Sequence, residues 1–373
     1  MTVIDGGQRP GEQRTRTVQS SAASIRALRL GPVSIRLNLR LMVVAALLTA
    51  GLVAAMALHT AFGGTPLPYP DVLRALFGDA SSPRTYLAVT EFRAPRMVAA
   101  VLVGACLAAA GAITQTVARN PLASPDLLGV TAGASLGAVA VLVIAGGGHA
   151  GLSGIAATVG MPAAALTAGI LSGVAVYLLA YRRGLDSYRL VLAGLGISGF
   201  AASLTTWILT LGDVTSAAQA LTWMTGSLNG KDWTTVQPMA LSAAVLITAA
   251  VVSGRWLLLT SFGEDTAVGL GTRIGAVRLT VLSIAVLLAS VATVTAGPVA
   301  FVALASPQIA RSLTAGVVPP VGVSALVGAV FVLLADTISA NALSAPLPVG
   351  VATAVLGAPF LIHLILKYQR RLS

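Results

Sequence analysis

Charge is what this chain of 373 residues lacks most, with only 9% Asp, Glu, Lys and Arg against 56% hydrophobic residues. Soluble domains carry about 25% charged residues, so a water-facing surface cannot be assembled from this composition. Aromatics are scarce at 5% while Gly reaches 39 residues, a balance that suits membrane helices packed through small side chains. A single cysteine, Cys106, excludes a disulfide within one chain and reads as a small packing residue in an apolar run. There are only two lysines, Lys231 and Lys367, and neither lies in a Gly-rich phosphate loop, so the chain has no ordinary means of hydrolysing ATP. The three histidines, His59, His149 and His363, stand apart from one another and from any acidic cluster, which leaves zinc, di-iron and Cys–His or Ser–His catalysis without an anchor. An acidic relay for proton coupling is also missing; Asp336, at the end of one apolar run, is an isolated candidate.

What is present is a series of apolar runs near the roughly 20 residues that span a bilayer. Ten are expected: Leu37–Leu58, Met97–Gln115, Leu127–Ala145, Ile155–Ala180, Leu190–Leu211, Val236–Leu258, Ile274–Ala296, Val299–Leu313, Val321–Ala335 and Val349–Leu366. The eighth and ninth are short and bordered or interrupted by Pro298, Pro307, Pro319 and Pro320, so eight or nine crossings with a re-entrant segment is the alternative. Residues 1–36 form a polar, basic, flexible tail, and 37–373 one membrane domain. The tail lacks the short apolar core and cleavage site of a signal peptide. The formal charge of +11 comes from arginines in short flanks between apolar runs, a placement that suits an anionic membrane surface and not a nucleic acid. Arg182, Arg183, Arg189, Lys367, Arg370 and Arg371 favour both termini on the cytoplasmic side, against the dissenting loop from His59 to Arg96. Within that loop Pro70–Phe77 reads as a short surface helix with Asp71 in its first turn.

A passage through such a bundle would be lined by weakly polar groups: Thr114, Gln115, Asn120, Thr131, Ser135, Ser198, Ser203, Thr205, Thr206, Thr293 and Thr295. Gln115, Asn120, Thr131, Ser135 and Ser198 are the leading candidates. The plainer alternative for each is a hydrogen bond to its own helix backbone or to a neighbouring helix.

Several strings carry a more specific message. From Phe92 the chain reads FRAPR, then GACLAAAGAITQTVARNPLASPDLLGVTAGASLGAV; LVLAGLGIS follows at Leu190, WMTGSL at Trp223 and GPVAFVALASPQIAR at Gly297, then LLADTIS at Leu333 and LPVGVATAVLGAPFLIHLI at Leu347. In content and order these resemble the permease subunits of bacterial ABC importers for iron–siderophore complexes, haem and vitamin B12.

The resemblance implies an all-α fold of about ten spans, of the type II ABC importer kind, in the bacterial cell membrane. It implies a second permease subunit, two ATPase subunits holding ATP and Mg, and an extracytoplasmic substrate-binding protein; this chain would bind no cofactor or metal and perform no catalysis. Ferric–siderophore import by alternating access is the expected function, with vitamin B12 or haem import, or a stand-alone secondary transporter, as alternatives. The stretch SFGEDTAVGLG, with Ser261, Phe262, Gly263, Glu264, Asp265, Gly269 and Gly271, looks like the family's coupling loop for the ATPase. Arg93 and Arg96 occupy the places of family arginines that meet acidic groups on the binding protein. Two departures stand out. Ala340 replaces an arginine common after the Ala-Asp pair, and Val317, Val318, Pro319 and Pro320 stand where an Asp-His pair is usual after Arg311. Both lean towards a heterodimer of unlike permeases, with a homodimer as the alternative.

Overall fold

The computed structural model describes residues 26–30, 33–37, 39–62, 67–76, 78, 82–144, 159–181, 187–261, 267, 269, 271, 273–341 and 347–372. A small antiparallel hairpin, β1 (Arg26–Leu30) with β2 (Val33–Leu37), precedes the helices. Every other regular element described is helical.

The first half contains α1 (Leu39–Phe62), α2 (Tyr69–Leu76), α3 (Pro83–Leu87), α4 (Ala94–Val117), α5 (Val130–Ile144), α6 (Met161–Ala180) and α7 (Ser187–Leu211). A π-helical turn, Ala88–Arg93, fuses α3 to α4. The second half contains α8 (Val214–Met224), α9 (Trp233–Val252), α10 (Gly254–Ser261), α11 (Ile274–Ala296), α12 (Val302–Thr314), α13 (Val321–Asn341) and α14 (Val349–Leu372).

Each of the ten expected spans has a helix, and among the described residues seven helices are long and apolar enough to cross a membrane. The others are α5, α12 and the apolar part of α14, Val349–Leu364. At 1.5 Å per residue, α12 covers only about 20 Å, too little for a hydrocarbon core about 30 Å thick. Its thirteen residues are shorter than the expected Val299–Leu313 because Gly297 (φ 72°) and Phe301 (φ 65°) turn the chain before it starts. The expected ninth span, by contrast, runs on to Asn341 and is full length. The run at Leu127–Ala145 is divided by left-handed Gly129 into a 3-10 turn, Pro125–Leu128, and α5. That at Val236–Leu258 breaks at Ser253, whose hydroxyl donates to Ala250 O at 2.8 Å and whose amide closes the last turn of α9. The expected surface helix Pro70–Phe77 is α2, with Asp71 in its first turn.

Helix α4 is the spine. Most of its side chains are buried, from Met97 through Val117, and they are chiefly Ala, Gly and Val. It packs against α9, α11, α12 and α13. Small residues bring the backbones together: a Cβ on Gly104 would lie 2.1 Å from Gly328 O, and one on Gly328 would lie 2.3 Å from Gly104 O. Lipid tails are as apolar as the helix faces, so close van der Waals packing of this kind, and not the hydrophobic effect, drives helix association inside a membrane. The apolar residues on the outside, among them Leu195, Phe200, Trp207 and Leu241, face what surrounds the bundle.

Candidate functional site

Three features carry the strings that the sequence singles out. The first is an ionic cluster at the end of the bundle where α1 and α13 finish and α4 begins. Arg96 donates from Nε to Asp336 Oδ2 at 2.8 Å and from Nη2 to Asp336 Oδ1 at 2.9 Å. His59 Nε2 lies 2.8 Å from the same Oδ2. Asp336 and His59 are buried, and His59 Nδ1 has no hydrogen-bond partner among the described residues. Folding thus sets His59 against a single carboxylate from which the sequence keeps it 277 positions apart. A charged carboxylate at this depth requires such partners, since an unpaired charge in an apolar setting is strongly disfavoured.

Arg93 is part of the same end. It is 8% exposed, and its Nη1 donates to Thr60 O at 2.7 Å and Ala61 O at 3.3 Å, satisfying carbonyls at the end of α1. The resemblance implies that Arg93 and Arg96 are exposed docking charges; in the structure Arg93 is buried and Arg96 grips Asp336, so both hold the bundle together. Above them lies a cavity of about 370 Å³ lined by His59, Phe92, Arg93, Arg96, Ala340 and Asn341, together with Ala88 and Thr337. Ala340, singled out in the sequence as a departure, is one of its walls.

The second feature is a junction of glycine turns. Ser227 N donates to Ala296 O at 2.7 Å, and Gly350 N donates to Gly226 O at 3.1 Å. A Cβ on Gly226 would sit 2.1 Å from Pro298 O, and one on Gly350 would sit 2.3 Å from Thr225 O. The strings at Trp223, Gly297 and Leu347 thus meet in one place, holding the starts of α12 and α14 against the end of α8.

The third feature is the opposite end of α4. Gln115, one of the path candidates, is buried; it donates from Nε2 to Leu304 O at 3.0 Å and accepts at Oε1 from Gln308 Nε2 at 2.6 Å. Asn120 Oδ1 accepts from Leu122 N at 2.9 Å, shaping the loop after α4. Thr131 donates its hydroxyl to Asp126 Oδ1, Ser198 donates to Asp126 O at 3.4 Å, and Ser135 donates to Thr131 O at 2.9 Å. Thr131 of α5 and Ser198 of α7 thus meet Asp126, Ser135 lies one turn further along α5, Asn120 shapes the loop before them, and Gln115 lies apart at the α4–α12 contact. Thr114, Thr205, Thr206, Thr293 and Thr295 each donate to a carbonyl one turn back in their own helix.

Arg119 extends from the end of α4, at φ 49°, and donates from Nη2 to Thr260 O at 3.0 Å. This fixes the end of α10, which leads directly into the expected coupling loop. Ser261 is the last residue of α10, and Gly269 and Gly271 are exposed. Phe262, Gly263, Glu264 and Asp265 lie outside the described residues. No group of three or more metal-ligating His, Cys, Asp or Glu side chains occurs among the described residues.

Comparison with known proteins gives a consistent result over most of the chain. The FecCD transport family model matches residues 51–367. The ferric enterobactin transport system permease protein FepG of Escherichia coli (strain K12) is 37% identical over 334 residues, covering 89% of this chain and 98% of that one. The probable siderophore transport system permease protein YfhA of Bacillus subtilis (strain 168) is 38% identical over 327 residues, covering 86% and 94%. Among solved structures, an inward-facing metal-chelate type ABC transporter aligns with a TM-score of 0.75 at 23% identity, covering 88% of this chain and 99% of that one. That likeness carries the fold. Together with the family match across the helical bundle, it identifies this multi-pass membrane protein as a member of the FecCD transport family.

Proposed function

We propose that this chain is the membrane-spanning permease subunit of an ATP-driven importer of ferric–siderophore complexes. The observation that carries the reading is the match of the family model from residue 51 to residue 367, which takes in every helix from α2 to α13, half of α1 and most of α14. The named functions of the relatives, ferric enterobactin and other siderophore transport, support iron chelates as the substrate class.

In this reading two permeases form the passage between them, a heterodimer being favoured by the departures at Ala340 and Val317–Pro320. Two ATPase subunits hold ATP and Mg, and a binding protein delivers the chelate from outside. Both termini are cytoplasmic. The loop with Glu264 and Asp265 then faces the ATPases, and Arg119 gives it a firm base through Thr260. The cavity above Arg93 and Arg96 faces the binding protein. Exposed charge at such a surface steers and registers docking more than it tightens it. Closure of the ATPases on ATP moves the coupling loop and switches the passage from outward to inward access.

The test is uptake of radiolabelled ferric siderophore by cells lacking this chain, and by cells lacking the partner ATPase. Loss in both strains, with recovery on re-expression, is the expected result. Normal uptake without the ATPase would instead make the chain a secondary transporter.

A further inference from the structure

A second cavity, of about 400 Å³, lies between the end of α12 and the facing turn of α14. Gln308, Arg311 and Ser312 supply one wall, and Phe360, His363 and Leu364 supply the other. Both sets follow i, i+3, i+4 spacing, so each is one face of its helix. The side chains that line it include a guanidinium, an imidazole, a hydroxyl and an amide, with no carboxylate among them. Arg311 is half-buried and has no hydrogen-bond or ion-pair partner among the described residues; His363, which is exposed, has none either. Gln308 is fixed from behind by its bond to Gln115, which anchors this wall to the bundle spine.

A basic residue in the last turn of a helix is also favoured by the helix dipole. That role accounts for a cation at Arg311 but not for the cavity it borders. It is moreover shared by Arg40, whose Nε donates to Leu313 O at 2.8 Å and satisfies one of the terminal carbonyls of α12. Arg311 is left with its donors turned to no acceptor among the described residues. The cavity volume falls within the roughly 300–1,000 Å³ of small-molecule sites, and is larger than one carboxylate side chain of a partner protein fills.

We infer that this cavity is an anion-binding subsite for ferric chelates that carry free carboxylates, with Arg311 as its principal donor and His363 as the second. The inference rests on the permease reading above and adds a preference for anionic over neutral chelates to it. A guanidinium meets a carboxylate through two parallel N–H bonds, and charge-assisted bonds of this kind are about twice as strong as neutral ones. A neutral ferric tris-hydroxamate offers the same iron in a similar bulk without a free carboxylate.

The experiment is equilibrium dialysis of radiolabelled ferric citrate, and separately of a ferric tris-hydroxamate, against the full permease–ATPase complex in lipid nanodiscs. Arg311→Gln is expected to weaken ferric citrate binding about tenfold and tris-hydroxamate binding by less than roughly twofold, with Arg311→Lys falling in between because it keeps the charge and loses the paired N–H geometry. If Arg311→Gln does not assemble, His363→Gln on the exposed side of α14 carries the same expectation with a smaller shift. Absence of citrate binding in the unsubstituted complex would overturn the subsite, as would citrate binding indifferent to both substitutions or an equal loss for both probes. Loss of ATPase association in place of chelate binding would also overturn it, by making the cavity a protein contact. If the unsubstituted complex imports ferric chelates while citrate binding ignores Arg311, the subsite alone fails. If that complex imports no ferric chelate, the permease reading itself fails.

Discussion

Arg96 holds Asp336 across 240 residues of sequence by two side-chain hydrogen bonds, with His59 completing the carboxylate's surroundings. The three residues come from α4, α13 and α1, so one buried carboxylate joins three helices at one end of the bundle. Removing the carboxylate leaves Arg96 and His59 partly or wholly buried without it. Asp336→Ala is expected to cost about 3–5 kcal/mol, the range for breaking a buried pair from one side. The joint replacement Arg96→Met with Asp336→Leu is expected to cost less than the sum of the two single changes. Equilibrium unfolding in detergent micelles measures both.

The glycine seam between α4 and α13 gives a second expectation. At Gly104 and Gly328 a methyl group meets backbone atoms of the opposing helix, which cannot rotate away as a side chain can. Gly104→Ala and Gly328→Ala are expected to destabilise by about 1–3 kcal/mol through overpacking. Gly51 in α1 has nothing within 4 Å of its built Cβ, so Gly51→Ala serves as the neutral control. Thermal unfolding of the three variants side by side checks the contrast.

Asp232 caps α9. Its Oδ1 accepts from Thr234 Oγ1 at 2.8 Å, Thr235 Oγ1 at 2.9 Å and Thr235 N at 3.0 Å. The side-chain bonds from Thr234 and Thr235, followed by the backbone bond, hold its carboxyl below the usual carboxylate range. A depressed pKa contributes stability above the unfolded value, about 3.9 for Asp, and that contribution fades as pH falls through the lower folded value. Asp232→Ala is expected to cost about 1 kcal/mol near neutral pH, as for other N-caps. The difference from the unsubstituted protein is expected to shrink on acidification towards and below that range, as followed by denaturation across pH.

Arg119 links the end of α4 to Thr260 O and hence to α10, the helix that enters the proposed coupling loop. Arg119→Ala is expected to lower ATP-driven uptake several-fold while membrane insertion and permease pairing persist, since a charge-assisted bond of this kind contributes about 1.5–3 kcal/mol. Uptake and complex assembly, measured on the same preparations, separate loss of coupling from loss of folding.

Much of this fold is legible in the sequence because the bilayer imposes length and apolarity on each crossing. Leu190–Leu211 and Ile274–Ala296 could be read as uninterrupted runs for that reason. The breaks were harder. The shortening of α12 depends on left-handed geometry at Phe301, which no propensity for Phe announces, and α8 is an eleven-residue helix in a stretch that reads as a connection. The ionic cluster was invisible, since His59, Arg96 and Asp336 become neighbours only when α1, α4 and α13 pack. The family strings stand apart in the sequence, but three of them form one glycine junction, and that meeting is set by tertiary contact alone. Hydroxyl-bearing path candidates were ambiguous in sequence because a Thr facing a passage and a Thr bonded to its own helix have the same spacing.

In the proposed function this chain moves ferric chelates only as part of an ATP-driven complex. Proteoliposomes containing this permease, its permease partner and the ATPase subunits, supplied with binding protein and radiolabelled ferric siderophore, test it most directly. Accumulation is expected to require hydrolysable ATP and to stop when the ATPase is omitted or when Glu264 and Asp265 are both reversed to Lys. Equal accumulation without ATP or without the ATPase, driven by an ion gradient alone, would contradict it.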